Sequence, residues 1–258
     1  MMLLIDAGNT RIKWAVPSDH PQREGRWRQQ GAVARGELQS LAQAWAALDR
    51  PQRICVSNVA GPALRESLQQ LLQQVFGSGP VIEWFASTLE RAGLRNGYRD
   101  PARLGCDRFA AAIGARALYP DEELLVATCG TATTIDVVSV QGVFEGGMIL
   151  PGFGTMATSL ALNTAQLPQI DEVTPLAGIF ADNTVEAIVS GCIAAQVGAI
   201  EHALAARERA HPYTARRCLL AGGAGLVLAP YLVLGETPLE KVDNLVLIGL
   251  HTAMNHAG

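Results

Sequence analysis

Two stretches of this chain place polar residues where phosphate chemistry needs them. "LLIDAGNTRIKWAV" (residues 3–16) is an apolar run that ends in Asp6, turns through Gly8, Asn9 and Thr10, and resumes as an alternating apolar run. "LLVATCGTATTIDVV" (124–138) repeats the plan around Gly130, with Thr128 where the first copy has its carboxylate. Glycine and small residues let backbone N–H groups approach an anion closely. Asn9 and Thr10 add side-chain donors, and Lys13 supplies a cation. Asp6 would repel a bare phosphate but would hold hydrated Mg²⁺ beside one. Two such turns facing each other across a cleft would grip one polyphosphate from both sides. For the first turn alone, a plain glycine-turn hairpin is the competing reading.

Three further stretches join them. "LGCDRFAAAIGARAL" (104–118) sets Asp107 and Arg108 at a helix start after Gly105. Asp107 there is either a helix cap or a general base beside an anion-binding arginine. "GGMILPGFGTMATSL" (146–160) is either a substrate loop or a strand-to-helix turn. "LLAGGAG" (219–225) is a strand running into a glycine turn, against which a flat base or ribose could lie. Thr184 begins a long helix, whose unpaired N–H groups favour an anion, unless it serves only as part of the cap.

Much is excluded. The chain has only two lysines, Lys13 and Lys241, and neither follows a glycine, so there is no Walker A loop. It has no G-x-G-x-x-G and no G-x-S-x-G. The net charge is −4 with no basic run longer than a pair, which argues against nucleic acid as a partner. Five cysteines without C-x-x-C, and five histidines without zinc-like spacing, argue against a disulfide framework and a structural metal. No apolar run reaches the length of about 18 residues that a membrane span needs. A soluble protein of a reducing cytoplasm, with no membrane partner, is expected.

The elements that must hold these residues follow from periodicity. Strands are expected over 3–7, 11–16 and roughly 26–33, at "RICVSNV" and "PVIEW", then over 123–128, 132–140, 143–150 and at "RCLLAGG". Leu38, Leu41, Trp45 and Leu48 predict a helix over 36–48, and Leu64, Leu68, Leu71, Leu72 and Val75 one over 62–76. A long helix is expected over about 184–206 and a closing one over 238–255. Asn183 with Glu186, and Thr237 with Glu240, both fit the capping box, with Pro238 at a first helical position. Each half therefore runs three strands, helix, strand, helix. The chain is long enough for two modest domains, and a duplicated α/β architecture with an interdomain cleft is expected, divided into 1–115 and 116–258.

"DAGNTRIK" (6–13), "GCDR" (105–108), "GTATTID" (130–136), "GGMILPG" (146–152) and "AGGAG" (221–225) stand in the order found in type III pantothenate kinases, and the chain resembles that family over nearly its whole length. The resemblance implies duplicated ribonuclease-H-like domains of the actin-like ATPase fold, in a homodimer with a shared active site. It implies transfer of the γ-phosphoryl group of ATP to pantothenate, giving 4′-phosphopantothenate, at the start of coenzyme A biosynthesis. By the same resemblance Asp6, Ala7, Gly8, Asn9, Thr10, Arg11, Ile12 and Lys13 form the first phosphate turn, with Mg²⁺ near Asp6. Thr131 contacts ATP, and Gly222 and Gly223 match the adenosine turn. Tyr98, Gly105, Cys106, Asp107 and Arg108 line the pantothenate site, with Asp107 as base, and Thr184 reaches it from the neighbouring subunit. A monovalent cation, K⁺ or NH₄⁺, is held in several members by an aspartate where this chain has Thr128. A sugar or acetate kinase of the same superfamily, or a non-catalytic regulatory accessory protein with the same fold, are the alternatives.

Overall fold

The computed structural model describes residues 1–18, 27–170, 176 and 178–256. The chain forms two compact units, Met1–Pro120 with Val138–Glu145 and Asp243–Gly258, and Asp121–Val137 with Gly146–Val242.

The first unit begins with β1 (Met2–Ala7), β2 (Arg11–Pro17) and β3 (Trp27–Ala34). The start of the third expected strand, Arg26, lies outside the described residues. Next come α1 (Ser40–Ala46), β4 (Arg53–Asn58), α2 (Pro62–Phe76) and β5 (Val81–Trp84). The short strands β6 (Glu90–Arg91) and β7 (Leu94–Asn96) precede α3 (Cys106–Leu118). The sheet order is β3-β2-β1-β4-β5. The first three strands are antiparallel, and β4 and β5 add parallel to β1. Central β1 buries Leu3, Leu4 and Ile5 completely, which is why its sequence is a continuous apolar run. Pro62 opens α2, and Leu64, Leu68, Leu71, Leu72 and Phe76 are its buried stripe. Each such side chain, fully buried, contributes about 1.5–3 kcal/mol.

The helix expected over 36–48 is shorter. Residues Arg35–Glu37 form a 3-10 turn, and α1 has no side-chain N-cap to extend it backwards. Ser40 instead donates its hydroxyl to the Glu37 carbonyl, a local bond that competes with helix at this position.

The second unit is built from β8 (Glu123–Cys129), most of β9 (Ala132–Val138) and most of β10 (Val143–Pro151). It continues with α4 (Phe153–Asn163), α5 (Thr184–Ala210), β11 (Arg216–Ala221), α6 (Gly225–Leu228) and β12 (Leu239–Lys241). Its strands run β10-β9-β8-β11-β12, the same order as in the first unit. Val143 and Phe144, which open β10, belong to the first unit and pair with Arg95 and Asn96 of β7.

Asn183 caps α5 as expected, its side-chain oxygen accepting from the Glu186 N–H at 3.0 Å. By length and composition α5 could cross a membrane, with half of its most apolar window buried. Ile188, Val189, Cys192, Ile193, Val197 and Ile200 form part of the core of this unit. An apolar helix of this kind is a core helix here.

The expected closing helix over 238–255 is corrected. Residues Leu239–Lys241 are a strand in parallel register with Cys218–Leu220, and the Pro238 carbonyl accepts from the Cys218 N–H. Ladder bonds of β11 thus claim the segment that the Thr237/Glu240 pattern assigns to a helix start. The helix begins later, as α7 (Leu245–Asn255), after Asn244 in the left-handed region. Small residues then let α7 lie on α3. A β-carbon on Gly249 would sit 1.7 Å from the Ala110 carbonyl oxygen, and one on Gly114 would sit 2.6 Å from that of Leu245. This close packing returns the end of the chain to the first unit, whereas the expected division at 115/116 is contiguous.

Candidate active site

The first turn is a β-hairpin that also presents functional groups, so its two readings are compatible. The Gly8 N–H donates to the Arg11 carbonyl at 3.1 Å and closes the turn. Asn9, Thr10 and Arg11 are exposed at its tip, while Ala7 and Ile12 are buried beneath it. Asp6 is the cross-strand partner of Lys13 on β2 and of Ser57 on β4. Residues opposite one another share a face of the sheet, so carboxylate, ammonium and hydroxyl form one row at the C-terminal ends of β1 and β4. Open α/β sheets bind ligands beyond such strand ends.

The start of α3 supplies the second carboxylate. Cys106 anchors it. Its sulfur lies 3.4 Å from the Ser57 Oγ and donates towards the Asn58 carbonyl at 3.6 Å. Burial pushes the Cys106 thiol up, so it is a neutral contact rather than a nucleophile. Asp107 accepts from the Arg108 N–H at 2.8 Å. Burial raises its pKa, against the pull of that bond and of the Arg108 guanidinium. Asp6 feels the same burial and, next, the charge of Asp107. Its carboxyl is pushed up to about 7, with Lys13 pulling the other way. Two half-buried carboxylates with raised pKa values, one of them feeling the charge of the other, are a feature of functional sites.

Arg108 is buried. It donates to the Tyr98 hydroxyl at 2.8 Å, and its guanidinium carbon lies 5.7 Å from the Tyr98 ring centroid and 5.6 Å from that of Phe144. The loop that carries Tyr98 is shaped by Asn96, whose oxygen accepts from the Tyr98 N–H and whose amide donates to the Pro101 carbonyl. Thus Asp6, Lys13, Tyr98, Gly105, Cys106, Asp107 and Arg108 all belong to the first unit. Sequence reading missed Ser57, Asn58, Asn96 and Phe144. "SNV" at the end of an apolar strand, like "ID" at the end of β1, is the signal that marks the first two.

In the second unit, Thr128 lies at the end of β8, one residue before its last, in register with Ala221, and Thr131 follows in the turn to β9. Gly222, at φ 85, packs on this turn. A β-carbon there would lie 2.3 Å from the Cys129 carbonyl oxygen, which also accepts from the Ala224 N–H. Thr128, Thr131, Gly222 and Gly223 are therefore gathered by adjacent strand ends. Thr184 is exposed at the first position of α5, and no hydrogen bond among the described residues joins it to these turns.

Among the described residues no three His, Cys, Asp or Glu side chains cluster, so no metal cage made of protein alone is built from them. Mg²⁺ asks for less: one or two carboxylates, with water and phosphate oxygens completing its shell. Asp6 fits that demand, because a nearby dication would relieve its suppressed ionisation. Thr128 does not fit a tight monovalent site, since it offers one neutral hydroxyl.

Two sheets with one repeated strand order, and glycine turns at corresponding strand ends, define the duplicated ribonuclease-H-like fold of the actin-like ATPases and sugar kinases. A glucokinase from an Antarctic psychrotroph shares this fold, with a TM-score of 0.52 at 14% identity over 99% of each chain. The sequence profile of the type III pantothenate kinase family matches residues 2–206. The type III pantothenate kinase of Janthinobacterium sp. (strain Marseille) is 56% identical over 100% of this chain and 99% of its own. That of Herminiimonas arsenicoxydans is 53% identical over 99% and 98%. The chain belongs to the type III pantothenate kinase family.

Proposed function

We propose that this protein transfers the γ-phosphoryl group of ATP to the terminal hydroxyl of pantothenate, forming 4′-phosphopantothenate for coenzyme A synthesis. The observation that carries the reading is the first turn of α3. There a carboxylate with a raised pKa, Asp107, directly precedes a buried arginine clamped by Tyr98. This is the equipment for orienting an alcohol beside a carboxylate-bearing substrate.

Asp107 orients the hydroxyl and accepts its proton late, as a loose phosphoryl-transfer transition state requires. Its raised pKa makes it a better acceptor. Arg108 and Tyr98 bind the polar groups of pantothenate, with Gly105 and Cys106 shaping the wall. The residues from Asp6 to Lys13 cradle phosphate oxygens, and Lys13 neutralises part of their charge. In the second unit Thr131 contacts ATP, and Gly222 and Gly223 present backbone to adenosine. Mg²⁺, held through Asp6 and water, supplies further charge neutralisation when bound. No step is assigned to a monovalent cation.

A homodimer with a shared site, in the cytoplasm, completes the proposal. Thr184 is flanked by exposed apolar side chains, Ile179, Phe180 and Val185, with Phe180 94% exposed. Exposed apolar side chains beside Thr184 support a contact with another chain there. A coupled assay with ATP and pantothenate tests the activity. Turnover with pantothenate is expected, and turnover with glucose or acetate but not pantothenate would overturn the reading.

A further inference from the structure

The turn that carries Thr131 is held from behind by two other segments of the second unit. The Cys129 carbonyl accepts from the Ala224 N–H at 3.1 Å, beneath Gly222. The Gly130 carbonyl oxygen lies so close to Gly152 that a β-carbon on Gly152 would come within 2.0 Å of it. The Thr131 carbonyl receives two donors, the Gly152 N–H at 2.9 Å and the Thr155 hydroxyl at 2.7 Å. The Gly130 N–H closes the turn on the Ala132 carbonyl at 3.0 Å.

These bonds matter because a carbonyl oxygen repels phosphate while an N–H attracts it. A glycine-rich turn rotates its peptides easily, so its binding face exists only if something fixes which edge carries the oxygens. Most of these bonds come from backbone, which tolerates many sequences. The Thr155 hydroxyl is the only side-chain donor among them. It projects from the first turn of α4, one turn after the Gly152 approach, and reaches across 24 residues of sequence to the Thr131 carbonyl.

We propose that Thr155 is a positioning residue for ATP: its hydroxyl pins the Thr131 carbonyl away from the ligand, and Gly152 provides the close approach that lets it do so. This rests on assigning the Gly130–Thr131 turn to the phosphates of ATP. It gives the "GGMILPGFGT" segment a role towards the nucleotide that its glycines alone do not suggest.

The test compares Thr155→Val, Thr155→Ala and Thr155→Ser with a Thr131→Ala control. KM for each substrate is measured, with calorimetric binding of a non-hydrolysable ATP analogue and thermal unfolding. Loss of one hydrogen bond to the turn should raise KM for ATP about 5- to 20-fold in the Val and Ala variants. Analogue affinity should fall in parallel, KM for pantothenate should move less than about twofold, and Ser should restore wild-type values. Wild-type ATP affinity in Thr155→Val, with a weakened Thr131→Ala, would overturn the positioning role and leave the turn assignment standing. Unchanged ATP affinity in both would remove the turn assignment itself. Equal losses for both substrates, or failure of both Val and Ala variants to fold, would also overturn it, since a hydroxyl that only positions the turn is not needed for folding.

Discussion

Asp6, at the end of β1, feels the charge of Asp107, in the first turn of α3: burial first and that charge second push its carboxyl up to about 7, against the pull of Lys13. The two carboxylates are joined through structure as well as charge. Ser57 is the register partner of Asp6 and touches Cys106, the residue before Asp107. The ionisation of Asp6 therefore depends on the charge carried by Asp107.

A first prediction concerns pH. A cation competes with the proton on Asp6, so apparent Mg²⁺ affinity should weaken as pH falls through 7. Asp107→Asn removes one of the two causes of the raised pKa and should move that midpoint downwards, while burial keeps it above the ordinary carboxylate range. Mn²⁺ binding followed by paramagnetic relaxation between pH 5 and 8.5 measures this without turnover. The same variant should lose about 10²–10⁴-fold in transfer. A midpoint identical in wild type and variant would show that the carboxylates do not communicate.

The second prediction sets stability against function. The folded state holds the Asp6 proton more tightly than the unfolded chain does. Stability therefore falls as pH rises from about 4 to 7. Asp6→Asn should raise the melting temperature of the ligand-free protein at pH 7.5, by about 2 °C or more, and the gain should vanish near pH 4. Mg²⁺-dependent turnover should collapse in the same variant. A gain of equal size at both pH values would point to packing rather than charge.

Glu123 gives the opposite sign. It is buried between Arg207 and Arg216, at 2.5 and 3.0 Å. Burial alone would raise its pKa, but hydrogen bonds and charge from both arginines hold it below the ordinary value. Its contribution is complete above the unfolded glutamate range and is lost as pH falls through the lowered pKa. Glu123→Ala leaves two guanidinium groups poorly paired and should cost about 3–5 kcal/mol. Urea unfolding at pH 7 and pH 4 checks this, with the penalty of the variant expected to be smaller at pH 4.

Local patterns made much of this legible. The row Leu64, Leu68, Leu71 and Leu72 predicts α2 because one helix face packs on one sheet. "DAGNT" predicts the β1–β2 hairpin because its turn is four residues long and closes on itself. What stayed hidden is non-local. Ser57 meets Cys106 across 49 residues, and Thr155 meets Thr131 across 24; neither leaves a mark on local spacing. The misplaced closing helix has the same cause. Thr237, Pro238 and Glu240 form a good helix start in isolation, yet a strand edge offered by β11 outcompetes it.

If Thr184 completes the site of a neighbouring subunit, lesions should complement. An Asp107→Asn chain mixed with a Thr184→Arg chain forms dimers in which one composite site gathers both changes and the other has neither. Activity should recover towards a quarter of wild type after random exchange. Absence of recovery, with exchange demonstrated by native mass spectrometry, would place Thr184 outside the site.

Thr128 carries the last prediction. It stands at the end of β8, as Asp6 stands at the end of β1, and the two strands occupy corresponding central positions in sheets of the same order. The first position keeps its carboxylate and the second offers only a hydroxyl. A neutral oxygen attracts K⁺ far less than an anionic one in a poorly solvated environment. The half-buried position of Thr128 makes that difference larger than it would be in open water. Activation by K⁺ or NH₄⁺ should therefore be weaker, or require a higher half-saturating concentration, in this protein than in its Thr128→Asp variant. The measurement is turnover against K⁺ concentration at constant ionic strength, with both proteins in parallel. Thermal unfolding with and without K⁺ gives a second readout, because a cation bound to the folded state alone raises its stability. In the variant K⁺ should raise the melting temperature, and in the wild type it should do so less. Equal half-saturation and equal thermal shifts would show that this strand end does not govern the cation response.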